Sequence, residues 1–240
     1  MSPTVADAAP EFGGRPSGWF PATVADVAVA RMGKTIIAHE LSETGLPVYS
    51  AARDDRPWGF IAKSDVVFDR GTIVVSARGT IGFIRLPPDE FFVSTQTTIA
   101  LRPSTGVLPE YLRYALRRVD WAPVTSTTTI PMLTIGQINN VRAPLPPTNE
   151  QRRIVEKLDA IFAKTSQLRA RLARLLGATD AGGRLGDLEH TALAKAFRGE
   201  LVAQDPNDEP ASALLDRIRA EREAGPLKSK RGRRPKALVS

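Results

Sequence analysis

A chain of 240 residues is long enough to bury a substantial core in one or two domains. Having no cysteine, it offers no disulfide scaffold, thiolate zinc site or thiol nucleophile, and its two histidines, His39 and His190, stand far apart in sequence. The formal charge of +7 hints at a polyanionic partner, yet residues 1–148 are net +1 and residues 149–227 net zero, so the tail 228–240, with six Lys/Arg and no acid, carries nearly all of it.

In chain order, residues 1–17 lack the basic-then-apolar layout of a signal peptide and read as a disordered lead-in. No apolar run approaches the roughly 18 residues a membrane span needs, so a cytoplasmic location is expected. Residues 18–147 read as one α+β domain, β-rich with a mixed or antiparallel sheet. "VADVAVAR" (24–31) fits either a short helix or a strand. Strand-like runs rich in Val, Ile, Thr and Phe follow at 66–79, 80–86 and 91–103, broken by Gly or Pro. "SARGTIG" (76–82) reads as a hairpin turn with Gly79 and Gly82 at positive φ. "LPEYLRYALRRV" (108–119) is helical in pattern, with Pro109 suited to the first turn. Strands in runs, with few helices between them, argue against regular βαβ alternation.

At "APLPP" (143–147) the character changes to an extended joint with three prolines. Thr148 and Gln151 then form a capping-box pattern. From there Ile154, Leu158, Ile161, Thr165, Leu168, Leu172 and Leu175 recur with gaps 4-3-4-3-4-3, predicting a long helix over 148–176 with a coiled-coil seam. "GATDAGGRLGD" (177–187), with four glycines, is expected to end it. Helices about 187–202 and 209–224 complete a C-terminal helical region (177–224), ahead of a basic disordered tail (225–240).

Catalytic signatures are missing from the sequence. There is no GxxxxGK[ST], GxGxxG, GxSxG or HExxH, and no His/carboxylate cluster at metal-ligand spacing. The residue before each Pro-Pro pair is leucine, which disfavours a DNA-methyltransferase motif. No catalytic residue, metal ligand or cofactor is therefore assigned. Binding is the expected activity, and an arginine held at a turn, such as Arg78, is placed to reach a guanine edge or a phosphate. The threonines of "TSTTTIP" (125–131) offer hydroxyls to phosphates. On these physical grounds the DNA-contact candidates are Arg31, Lys34, Lys63, Arg78, Thr80, Gln96, Thr127, Thr128 and Gln137. Ile154, Leu158, Ile161, Leu168, Leu172 and Leu175 are the helix-pairing candidates.

"APLPPTNEQRRIVEKLDAIFAKTSQLRARL" resembles the Pro-rich joint and long conserved helix of type I restriction–modification specificity subunits. "SGWFPATVADVAVARMGKT" (17–35) resembles that family's domain opening. "SARGTIGFIRL" (76–86) with "VSTQTTIALRP" (93–103) is similar to its middle, and residues 192–223 to its C-terminal ending. The resemblance implies a non-catalytic subunit that recognises double-stranded DNA and positions methyltransferase subunits, and restriction subunits in the full complex, on a bipartite target. S-adenosylmethionine, ATP and magnesium would belong to those partners. A full subunit of this family has two recognition domains and two long helices, whereas one of each is present here. The resemblance thus implies a homodimer, or pairing with another specificity half, through residues 149–176. A coiled-coil adaptor that binds protein, or less favourably a stand-alone nuclease, are the alternatives.

Overall fold

The structure is a computed structural model that describes residues 16–122, 132–176 and 182–224. It is α+β, as the sequence predicts. The segment 24–31 is both helix and strand: a single turn α1 (Val24–Val27) runs straight into β1 (Ala28–Met32). The Thr23 amide donates to the Asp26 carboxylate at 2.8 Å and fixes the start of that turn.

Two four-stranded sheets stack on each other. The first joins β1 to β8 (Thr98–Pro103), β5 (Ile73–Ser76) and β6 (Ile84–Arg85), all antiparallel, in the order β1-β8-β5-β6. The second has the order β3-β2-β7-β4, from β2 (Leu46–Tyr49), β3 (Gly59–Ile61), β4 (Phe68–Asp69) and β7 (Phe91–Ser94), with β2 and β7 parallel. Ile73 opposite Leu101 and Val75 opposite Ile99 face a layer of helices, while Val74 opposite Ala100 faces the second sheet. Both faces of β5 are thus covered, which is why it reads as a continuous apolar run. From the second sheet Tyr49, Phe68 and Phe92 pack inward, with ring centroids 5.6 and 5.8 Å apart.

The run 91–103, one strand by composition, changes sheet in its middle. Thr95 and Thr97 join hydroxyls at 2.7 Å, and the Thr98 hydroxyl donates to the Thr95 carbonyl at 2.8 Å. These local bonds compete with a straight ladder and bend the chain from β7 to β8. Between β5 and β6, Gly79 and Gly82 take φ of 69° and 76°, as the turn requires. Most of 80–86 is turn rather than strand.

The helical layer holds α1, α2 (Pro109–Leu116), α3 (Ile135–Asn139) and α6 (Ala211–Glu223). Pro109 occupies the first turn of α2 as expected. Leu214, Leu215 and Ile218 of α6 are buried in the same core as Val24, Val27, Leu112 and Leu116. The C-terminal helix therefore returns to the domain begun by residue 18, a docking that no local pattern announces.

The long helix α4 spans Thr148–Leu176, and α5 (Gly182–Phe197) runs back along it. α5 starts inside the glycine-rich stretch, which the sequence predicts to be non-helical. The predicted capping box is replaced by tertiary bonds: the Thr148 hydroxyl donates to the Gly106 carbonyl, and Gln151 accepts from the Leu108 amide at 2.9 Å. The seam also differs from expectation. Ile154 and Leu158 are 0 % exposed and pack with Ala192, Leu193, Ala196 and Phe197, so they are not open to a second molecule. Ile161 joins that cluster, half-buried. Leu168 is 44 % exposed and Leu172 half-buried, while the side chain of Leu175 lies outside the described residues. Each buried aliphatic side chain is worth about 1.5–3 kcal/mol. Displacing α5 would cost several of these, so only the distal half of the seam is open.

Gly33 is where backbones meet. A Cβ there would lie 2.2 Å from the Thr95 carbonyl oxygen and 2.3 Å from that of Ser94. Gly33→Ala should destabilise the chain by about 1–3 kcal/mol, seen as a lower urea midpoint with an unchanged m-value.

Candidate nucleic-acid interface

β1, β2, β5 and β7 all end along one edge, and the loops that follow them meet there. The Lys34 amide donates to the Ser94 carbonyl at 2.8 Å and the Gln96 amide to the Lys34 carbonyl at 2.9 Å, which ties 33–35 to 95–97. The Ala77 amide donates to the Thr97 carbonyl at 2.8 Å, bringing in the β5–β6 turn. The Leu133 amide donates to the Ala77 carbonyl at 2.9 Å, and Arg78 bridges Met132, which adds 132–134. Loops fixed by main-chain bonds to one another present side chains from a rigid base, which is what DNA readout needs.

The predicted contacts distribute unevenly on this edge. Lys34, Arg78, Thr80 and Gln96 come together there, and exposed Arg31 flanks them near the end of β1. Lys34 Nζ lies 2.5 Å from the exposed Asp65 carboxylate, whose pKa its hydrogen bond lowers. Gln96 accepts from the Ile36 amide at 3.3 Å through Oε1, and Arg78 Nε approaches Met132 Sδ at 3.2 Å. Exposed Lys63 follows the end of β3 that pairs with Leu46, two residues before the Asp65 that binds Lys34. Gln137 caps α3, its Oε1 accepting from the Thr134 amide at 2.8 Å. Thr127 and Thr128 lie outside the described residues.

Sequence reading missed the loop 50–58. It leaves β2 beside 95–97, and the Ala51 amide donates to the Thr97 hydroxyl at 3.3 Å. Arg53, Arg56 and Trp58 are exposed on it. Beneath it Arg85 is only 2 % exposed, lies 5.1 Å from the Phe83 ring centroid and 5.7 Å from that of Tyr49, and donates through Nη2 to the Ala52 carbonyl. Burial lowers the pKa of this guanidinium, while Asp55 and Asp54 pull it back up. "ARDDRPW" was the available signal, charged residues and a proline directly after a strand.

The domain is joined to α4 by a compact root that lies beyond the other end of β8. Gln151 is fully buried and donates to the Pro146 carbonyl at 3.1 Å, in addition to its bond from Leu108. Tyr111 donates to the Pro144 carbonyl at 2.7 Å. Arg153 meets Asp208 at 2.6 Å, and Gln204 donates to Glu150 at 2.8 Å, so the segment leading into α6 also grips the helix. Burial raises the pKa of the Glu150 carboxyl, opposed by the neighbouring Trp19 indole and Arg153.

The family model for the type I restriction modification DNA specificity domain matches residues 16–176, the two sheets and the whole of α4. The chain belongs to that family. Three relatives are specificity subunits of type I restriction enzymes from Escherichia coli. The EcoDI subunit is 34% identical over 114 residues, covering 44% of this chain and 24% of its own length. The EcoBI subunit is 29% identical over 173 residues, covering 65% of this chain and 34% of its own. The EcoKI subunit, from strain K12, is 28% identical over 173 residues, 67% and 36%. Among solved structures, the HsdS subunit of Thermoanaerobacter tengcongensis superposes with a TM-score of 0.56 at 29% identity, over 82% of this chain and 49% of that one. A chain from a study of complex assembly and conformational transition of the type I R-M system gives 0.61 at 28%, over 82% and 50%. This specificity-family chain matches a quarter to a third of these curated relatives' length, and half of the structural ones.

The Arg153 hydrogen bond holds the Asp208 carboxyl below its ordinary pKa of 3.8. A depressed carboxylate stabilises the fold above its unfolded pKa and loses that contribution as pH falls through the folded one. Asp208→Asn should therefore weaken the chain at pH 7. The two denaturation midpoints should converge once pH drops below the usual carboxylate range.

Proposed function

We propose that this chain is a non-catalytic specificity subunit that recognises one half of a bipartite double-stranded DNA target. It would place methyltransferase subunits there, and restriction subunits in the full complex. The observation that carries this reading is the single edge where loops 33–35, 77–83, 95–97 and 132–134 are cross-linked by main-chain bonds. Lys34, Arg78 and Gln96 stand on that edge, and it is rooted on a helix about 40 Å long. Phosphate contacts by Lys and Arg fix register, and side chains reaching base edges specify sequence. S-adenosylmethionine, ATP and magnesium chemistry lies with the partner subunits in this reading.

The distal part of the α4–α5 hairpin supports the pairing part of the proposal. Leu168 and Leu188 are 44 % and 49 % exposed there. Two copies joined through these positions would set two recognition edges at a fixed separation, and a symmetric pair would read a palindrome. Pairing with a different specificity half uses the same surface.

Two measurements test these statements. Affinity for duplex DNA should fall about a thousandfold or more between roughly 50 and 200 mM salt if six or more phosphates are contacted. No DNA binding, with or without the methyltransferase partner, would favour the protein-binding adaptor instead. Leu168→Asp with Leu172→Asp should convert a dimer to a monomer by light scattering, and an unchanged mass would remove the distal seam as the pairing surface.

A further inference from the structure

Arg85 is the least economical residue in the recognition domain. Its guanidinium is buried, and its Nε and Nη1 have no hydrogen-bond partner among the described residues. Burying a cation with unpaired donors is costly, and an apolar side chain of similar length would fill the space by Phe83 and Tyr49 without that penalty. The contacts of the guanidinium with the Phe83 and Tyr49 rings leave those two donors unsatisfied. What arginine adds is the bond from Nη2 to the Ala52 carbonyl, at the point where the chain leaves β2 and begins the loop 50–58.

Arg53, Asp54, Asp55 and Arg56 are all exposed on that loop, and contacts within the chain engage the two acids rather than the two arginines. Asp54 Oδ1 accepts from the Arg56 amide at 3.1 Å, so this carboxylate is used to close the loop's own turn. Asp55 lines a cavity of about 300 Å³ together with Phe83, Arg113, Arg117 and Trp121, which sets it among arginines of the same chain. Arg53 and Arg56 remain exposed and outside any ion pair among the described residues. Both ends of the segment are anchored at the recognition edge, through Ala51 to Thr97 and through the Trp58 amide to the Val48 carbonyl at 2.7 Å.

We propose that loop 50–58 is a further DNA-contacting element, acting through Arg53 and Arg56, and that Arg85 is its positioning residue. This rests on the DNA-recognition reading above. Arg85 touches no DNA itself; it holds the Ala52 carbonyl, next to Arg53, so that the two arginines meet the duplex at a fixed distance from Lys34, Arg78 and Gln96. Without that bond the loop pivots between its anchors and the ordering cost falls on binding.

The test uses the full chain and a pool of DNA duplexes with a randomised centre, from which the bound motif is sequenced. Arg85→Met should keep or raise the melting temperature. Amide exchange in 50–58 should quicken at least tenfold, and affinity for the wild-type motif should fall at least tenfold. Arg53→Gln with Arg56→Gln should lower the slope of log affinity against log salt by about 1–2, at roughly 0.9 for each phosphate no longer neutralised. If the Arg85→Met melting temperature drops in step with affinity, Arg85 is merely structural and the positioning role is overturned. That role is overturned equally if loop exchange and affinity in Arg85→Met match wild type. If the double arginine variant keeps both the salt slope and the motif, loop 50–58 does not touch DNA. A wild-type chain that enriches no motif would instead sink the recognition reading on which the inference stands.

Discussion

The geometry of this molecule depends on one buried amide. Gln151 sits inside the first turn of α4 with no exposure to solvent and is bonded to Leu108 and Pro146. An unpaired buried amide is expensive, so those bonds hold the helix start in one register against the recognition domain. The leverage is large. A tilt of about 5° at the root would move the far end of a helix of this length by roughly 4 Å, more than the 3.4 Å rise of one base pair. Tyr111 and the Arg153–Asp208 pair brace the same root from two further directions.

Much of this was legible in the sequence, and the limits have physical causes. Helix α4 was readable because a 4-3 repeat sustained over three heptads has no other economical structure. The start of α2 was readable from Pro109, and the positive φ of Gly79 and Gly82 from their turn. The run 91–103 misled because β-propensity registers burial without saying in which sheet a strand is buried. The hydroxyl bonds at Thr95–Thr98 that break it are side-chain events invisible to periodicity. The docking of α6 and the covering of Ile154 and Leu158 by α5 are long-range choices. An apolar stripe states that a partner exists, not whether the same chain supplies it.

The recognition edge divides in the same way. Lys34, Arg78 and Gln96 share one edge because Gly-rich and Thr-rich turns between strands present side chains at sheet ends. The place of Lys63 was not readable, because the register of β3 on β2 is not written locally. The capping role of Gln137 was passed over, although Thr134 three residues before it makes the pair a helix cap. Arg85 was passed over because a charged residue on a strand reads as solvent-facing, and only the second sheet stacked above makes it buried.

The return of α6 has a consequence for the chain as a path. The Ala211 amide donates to the Gly18 carbonyl at 2.9 Å, and Arg222 reaches the Ala25 carbonyl at 2.5 Å, so the last described helix ends beside the first. The polypeptide closes on itself as a ring, with the long helical hairpin as one protruding loop of that ring. For such a path the place where the backbone is cut matters little to the packed interior, because neighbouring ends can be joined and the opening moved elsewhere.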